Sequence, residues 1–170
     1  MPTNPGATPT PYTGGEKETL HASLDRHRDA VLWKLQGLDD EQVRRVMTPS
    51  GTNLIGLVKH LASVEYGWFC SAFGREVEPL WFDPFSDENM SAGQDETTER
   101  IVEFYGRARS AADRTVTELT LDDVGTTWNG RTVSLRWVLV HMIEETARHA
   151  GHMDIVRELI DGGTGDHRPD

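Results

Sequence analysis

A single cysteine, Cys70, stands in a chain of 170 residues, so no internal disulfide forms and the redox expectation is a reducing cytoplasm. Long apolar runs are missing too: no stretch of 18 apolar residues occurs, and no membrane partner is expected. Basic charge is scarce, with 17 Lys and Arg against 28 Asp and Glu and a formal net charge of −11. That balance repels a phosphate backbone, and Arg44, Arg45 and Lys59 are too isolated to override it, which argues against nucleic acid as a partner. The opening M-P-T-N-P-G-A-T-P-T-P-Y-T-G-G lacks the basic and then apolar blocks of a secretory signal. Rich in Pro, Thr and Gly, it reads as a flexible leader over 1–15, with a flexible tail over 163–170. Residues 16–162 are left as one domain, long enough to bury a real core.

No repeat or long linker divides that domain, and four stretches carry helical periodicity. The first runs from about Glu16 to Leu38 on Leu20, Leu24, Val31, Leu35 and Leu38. A connector over 39–49 ends at the break Pro49-Ser50-Gly51. The second helix starts after Asn53, a residue suited to an N-cap, and stops at Gly74. The segment E-P-L-W-F-D-P-F-S-D-E-N-M-S-A-G-Q is too polar and broken for a helix. A third helix spans about Glu96 to Leu119, and the connector after it holds an Asn129-Gly130 turn suited to a short hairpin. The fourth begins near Ser134 and stops at Gly162-Gly163. The fold class is therefore all-α, a four-helix bundle, and the length between helices two and three calls for a crossover connection.

The fourth helix carries an anomaly. Leu135, Val138, Met142, Val156 and Ile160 mark its buried face, and Glu145, His149 and His152 fall in the same sector. A carboxylate and two imidazoles buried without partners cost several kcal/mol, roughly, whereas a divalent cation turns all three into ligands. Spacing of i, i+4 and i+7 aims them at one point above the helix. A facing helix must complete such a site, and His60, the only histidine in the second or third helix, borders the apolar face there. Two plainer readings stand beside this one: Glu145 and His149 as an ordinary i,i+4 surface pair, and His60 or His152 as a histidine satisfied by neighbouring carbonyls. His21, His27 and His167 show no clustering and read as solvated. Arg136, nine residues before Glu145, is read on the same general side of the helix, as a substrate-carboxylate contact.

Other chemistries fail on spacing. H-M-I-E-E at His141 is not the H-E-x-x-H of zinc proteases. A ferritin-type centre needs Glu-x-x-His on two helices, and the chain has Glu-x-x-x-His once. Cys70 has no histidine on its own turn and reads as a small buried hydrophobe.

The motifs N-L-I-G-L-V-K-H-L-A-S-V-E and V-S-L-R-W-V-L-V-H-M-I-E-E-T-A-R-H-A-G-H-M-D-I-V-R-E resemble the DinB/YfiT-like superfamily, more closely its actinobacterial branch allied to mycothiol-dependent enzymes. The similarity spans roughly Lys17 to Asp161. It implies a DinB-like four-helix bundle holding a divalent metal through three ligands. One is a histidine of the second helix, matched by His60. Two come from the last helix, where the maleylpyruvate isomerase type has glutamate and then histidine, matched by Glu145 and His149. His152 falls where many relatives have glutamine, which leaves it as a fourth ligand, a supporting residue or a substrate contact.

The function this resemblance implies is a metal-dependent mycothiol-type S-transferase or isomerase. Zinc is the first candidate metal, with nickel or iron as alternatives, and the thiol attacks a small electrophile. A cytoplasmic homodimer is the implied setting. Two rival functions remain: a non-catalytic metal-binding stress protein, and a metal-free dimeric ligand-binding or interaction bundle.

Overall fold

The computed structural model describes residues 11–165; the outer parts of the expected leader and tail, 1–10 and 166–170, and with them His167, lie outside the described residues. Helix α1 covers Glu16–Trp33, α2 Asp40–Arg44, α3 Leu54–Glu65, α4 Thr98–Glu118 and α5 Leu135–Asp161. Strands β1 (Val124–Thr126) and β2 (Thr132–Ser134) form an antiparallel hairpin before α5.

Short polar side chains start the long helices. Asn53 accepts from the Gly56 N–H at 2.8 Å, Thr97 from Arg100 N–H at 3.2 Å and Ser134 from Trp137 N–H at 3.2 Å, each satisfying a donor that the first helical turn leaves open. Gly74 and Gly162 end their helices in the left-handed region, φ +66° and +76°, which a Cβ disfavours. Helix α2 was not expected in the 39–49 connector. Its cause is a capping box: Gln42 N–H donates to Asp39 Oδ1 at 2.8 Å, and Asp39 N–H donates to Gln42 Oε1 at 2.9 Å.

Helix α3 is the central element. Leu54, Ile55, Leu57, Val58, Leu61 and Ala62 are all buried, the pattern of a helix surrounded by protein. After Glu65 it widens into a π turn over Tyr66–Cys70 and then tightens into a 3₁₀ turn over Ser71–Phe73.

Contacts fix the helix directions. Asn53 N–H meets Met90 O just before α4 starts, and Lys59 meets Glu96. Tyr66 meets Phe104, and the π turn packs further along α4, so α3 and α4 run parallel. A parallel neighbour obliges the chain to return along the bundle, and the segment between Gly74 and Thr97 makes that crossover. Helix α5 runs antiparallel to α3, since His60 faces Glu145 while Trp68 faces Trp137. Helix α1 lies parallel to α5, with Glu16 on Arg136 and Lys34 on Asp154. The architecture is the all-α, DinB-like four-helix bundle with the long connection between its second and third long helices.

The crossover is tied down throughout. Trp81 donates to Glu96 at 2.7 Å and meets Phe104 edge to face, while Glu78 takes the Tyr66 hydroxyl and two nitrogens of Arg107. At Gly56 the connector approaches so closely that a Cβ would sit 2.3 Å from Met90 O.

One charge crosses the interior. Arg28, fully buried, donates from Nε and Nη2 to both oxygens of Glu65 at 2.7 and 2.5 Å. Its Nη1 donates to Asp25 and Asp113 at 2.8 Å each. Burial opposes the Arg28 charge, but Glu65 and then Asp113 outweigh it and hold the guanidinium well above its ordinary pKa.

Candidate metal centre

Because α3 and α5 lie antiparallel and in contact, the middle turn of each faces the other. His60 projects from α3 between Gly56 and Val64; Glu145 and His149 project one turn apart from α5. His60 and His149 are buried and Glu145 is partly buried. Both imidazoles point Nε2 at the same carboxylate atom, Glu145 Oε1, at 3.2 Å each. Their rings meet edge to face, with centroids 4.8 Å apart. One ligand atom from each residue lies within 4.8 Å of the other two.

At 3.2 Å the separations lie at the long end of ordinary N–H···O bonds and just short of the spacing around a tetrahedral ion. Charge-assisted N–H···O bonds settle at about 2.7–2.9 Å. A tetrahedral ion with bonds of about 2.0–2.2 Å holds its ligand atoms about 3.3–3.6 Å apart. The observed 3.2 Å edges sit close to that second range. Each ring also has its Nδ1 buried with no hydrogen-bond partner among the described residues. The carboxylate stays charged: hydrogen bonds from His149, then from His60, hold Glu145 far below the ordinary glutamate pKa. Two imidazoles and a carboxylate are a donor set suited to zinc, nickel or iron(II).

Of the remaining candidates, His152 stands beside this group and outside it. It is exposed, with its ring 5.3 Å from that of His149. Partial burial, then the neighbouring His149, pushes its pKa below the ordinary value. Arg136 lies elsewhere, and its reading on the Glu145 side needs correction. Nine residues are two and a half turns, which turns it half a revolution away. Its guanidinium is held by Glu16 at 2.8 Å and by Asp122, where it staples the start of α5 to α1.

His21 is not solvated as expected. It meets Asp113 at 2.9 Å and Asp25 at 3.7 Å, a second group of metal-binding residue types. Arg28 donates to both of those carboxylates, so the group already holds a cationic partner. Cys70 is buried as expected, and burial raises its thiol pKa, which makes it a poor nucleophile. Trp81 and Phe82 pack on Phe104 of α4.

An aromatic run continues from the centre and was not anticipated as part of the site. Trp137 and His141 stack at 5.0 Å and 12°, and with Glu145 and His149 they repeat every fourth residue along α5. Trp68, in the π turn below His60, meets His141 at 4.6 Å and Trp137 at 5.3 Å. The four-residue spacing on α5 was the available signal.

The family model described as mycothiol-S-transferase matches residues 19–162. Among solved structures the chain is similar to one titled as the crystal structure of the conserved protein of locus from Enterococcus faecalis. The two share 15% identity with a TM-score of 0.62, over 89% of this chain and 100% of that one. At that identity the likeness concerns the fold. No curated protein matches the chain.

Proposed function

The chain belongs to the mycothiol-S-transferase family, and from that premise we propose that it joins a mycothiol-type thiol to a small electrophile at the centre made by His60, Glu145 and His149, with a divalent cation held there. The observation that carries this reading is the convergence of both Nε2 atoms on Glu145 Oε1 at edges suited to coordination. When bound, a divalent cation supplies Lewis acidity that lowers the pKa of a nearby thiol to give thiolate at neutral pH. The protein's own part is to fix the ligands. Glu145 would balance part of the charge as a third ligand, while α3 presents His60 and α5 presents His149 to the same point. His152, at the rim beside His149, serves as a contact for the entering substrate.

The thiol comes from outside, because Cys70 is buried in the core. In the transfer the thiol proton goes to solvent and the sulfur forms a bond to the electrophilic carbon. The pair of the broken bond departs with the leaving group. Zinc is the first candidate, with nickel or iron as alternatives. The setting is a cytoplasmic homodimer; among the described residues no helix is long and apolar enough to cross a membrane.

Elemental analysis of untagged protein tests the reading directly. About one equivalent of divalent metal is expected. His149→Ala should lose it while keeping its helical circular dichroism. Mycothiol should then be consumed in the presence of an alkylating electrophile by the wild-type protein only. Failure to retain any metal after reconstitution overturns the proposal. Stoichiometric metal with no thiol consumption favours the non-catalytic metal-binding rival.

A further inference from the structure

Three indoles that lie far apart in the chain meet two helical turns from Glu145 and leave a cleft open between them. Trp68 comes from the π turn after α3, Trp128 from the tip of the hairpin and Trp137 from the first turn of α5. Trp68 is the hub, 5.0 Å from Trp128 and 5.3 Å from Trp137 by ring centroids. Phe85, from the crossover, reaches Trp128 at 5.9 Å. The three indoles and the hairpin border an open cleft of about 610 Å³ lined by Trp68, Trp128, Trp137, Thr127, Arg131 and neighbouring hairpin residues. That volume falls within the range of small-molecule sites.

Burial does not explain the arrangement. Trp128 is 62% exposed and Trp137 48% exposed, so two of the largest apolar side chains turn much of their surface to solvent. Burying them would stabilise the fold by a few kcal/mol, roughly. Yet the hairpin that presents Trp128 is built firmly. The buried Thr127 donates its hydroxyl to Asn129 Oδ1 at 2.6 Å and receives the Arg131 N–H at 3.0 Å, and Gly130 takes the turn at φ +80°. Gly125 lets the hairpin press on the end of the α3 extension, where a Cβ would meet Ala72 O at 2.2 Å. The π turn, a feature common at functional sites, sets Trp68 against α5. A rigid frame thus holds flat apolar faces open to solvent.

Charge narrows the ligand class. Arg131 lines the rim and has no carboxylate partner among the described residues, in a chain of net charge −11. Position narrows its purpose: Trp137 and His141 precede Glu145 by two turns and one turn, about 12 and 6 Å along the axis.

We propose that this cleft is the acceptor subsite, and that it takes a flat aromatic electrophile with an anionic substituent. The ring lies against Trp128 and Trp137, the anion meets Arg131, and the reactive carbon is directed past His141 toward the centre. The assignment to an acceptor rests on the thiol-transfer reading; the binding of an aromatic anion does not.

Calorimetric titration with 2-naphthoate, on metal-loaded and on chelator-treated protein, tests it. Saturable binding is expected in both forms. Trp128→Ala should weaken binding at least tenfold, and Trp128→Phe should restore most of it. Arg131→Gln should weaken 2-naphthoate about fivefold and leave the neutral 2-naphthol unaffected, by the worth of one exposed ion pair. In turnover, Trp128→Ala should raise KM for an aryl halide bearing a carboxylate about tenfold, by a larger factor than it raises KM for iodoacetamide, at wild-type metal content. Equal naphthoate binding by wild type and Trp128→Ala, or none at millimolar concentration, overturns the proposal while metal and transfer to iodoacetamide persist. The reverse result, Trp128-dependent naphthoate binding with no thiol transfer at all, sinks the transferase reading and supports the cleft as an aromatic-anion site.

Discussion

Removing either end of the Arg28–Glu65 pair should destabilise the bundle, and by unequal amounts. Arg28 is fully buried and Glu65 has 1% of its side chain exposed, so a lone survivor faces the desolvation of a charge inside protein. Breaking a buried pair in this way costs about 3–5 kcal/mol. The two survivors differ. Without the Glu65 charge, Arg28 still donates to Asp25 and Asp113 at 2.8 Å, so Glu65→Gln belongs near the low end, about 3 kcal/mol. Without Arg28, Glu65 has no ion-pair partner among the described residues, so Arg28→Met belongs near the high end, about 5 kcal/mol. In a chain of this length each kcal/mol moves Tm by about 2–4 °C, giving losses of about 6–12 °C and 10–20 °C.

The double variant Arg28→Met/Glu65→Leu removes both charges and fills the volume with apolar groups, so its loss should fall well below the sum of the single losses. Urea unfolding followed by circular dichroism measures all three. Single losses below about 1 kcal/mol, or a double loss equal to their sum, would refute the idea that this pair is a desolvated and coupled strut.

Acid should expose the same network. Burial works against the Asp113 charge, but His21 and Arg28 outweigh it and lower its pKa to about 2 from 3.8. A depressed carboxylate contributes stability above its unfolded pKa and loses it as pH falls toward the folded value, so wild-type stability should decline between about pH 4 and pH 2, and Asp113→Asn should flatten that slope. Gly56→Ala should lower stability by more than about 1 kcal/mol in thermal melts, because the new Cβ meets backbone at Met90 O and neither side has a flexible end to give way. Cys70→Ala should leave the rate of thiol consumption unchanged, since the buried sulfur, with its pKa raised, plays no part; loss of transfer with the fold intact would reinstate it as a nucleophile.

What the sequence made legible divides along physical lines. Helix α5 was readable because its signals are local: Ser134 caps it, Gly162 stops it, and Glu145 and His149 interrupt an apolar stripe one turn apart. His60 was harder. Helix α3 is buried on every side, so its pattern has no polar face against which a histidine stands out; His60 is marked only as the lone histidine at the border of the apolar face, and the resemblance adds its candidate role. The capping box of α2 was local too, but five residues before a proline break carry little periodicity. Arg136 failed on rotation alone. The aromatic cleft depends on quantities that no window of sequence holds. The π turn shifts the phase of α3 just where Trp68 stands, and Trp128 joins it across 60 residues. A carboxylate inside an apolar stripe conflicts with its neighbours at once, and so it announces itself. A tryptophan is at home in any core, and only its exposure on a stiff hairpin turns it into a question about what binds there.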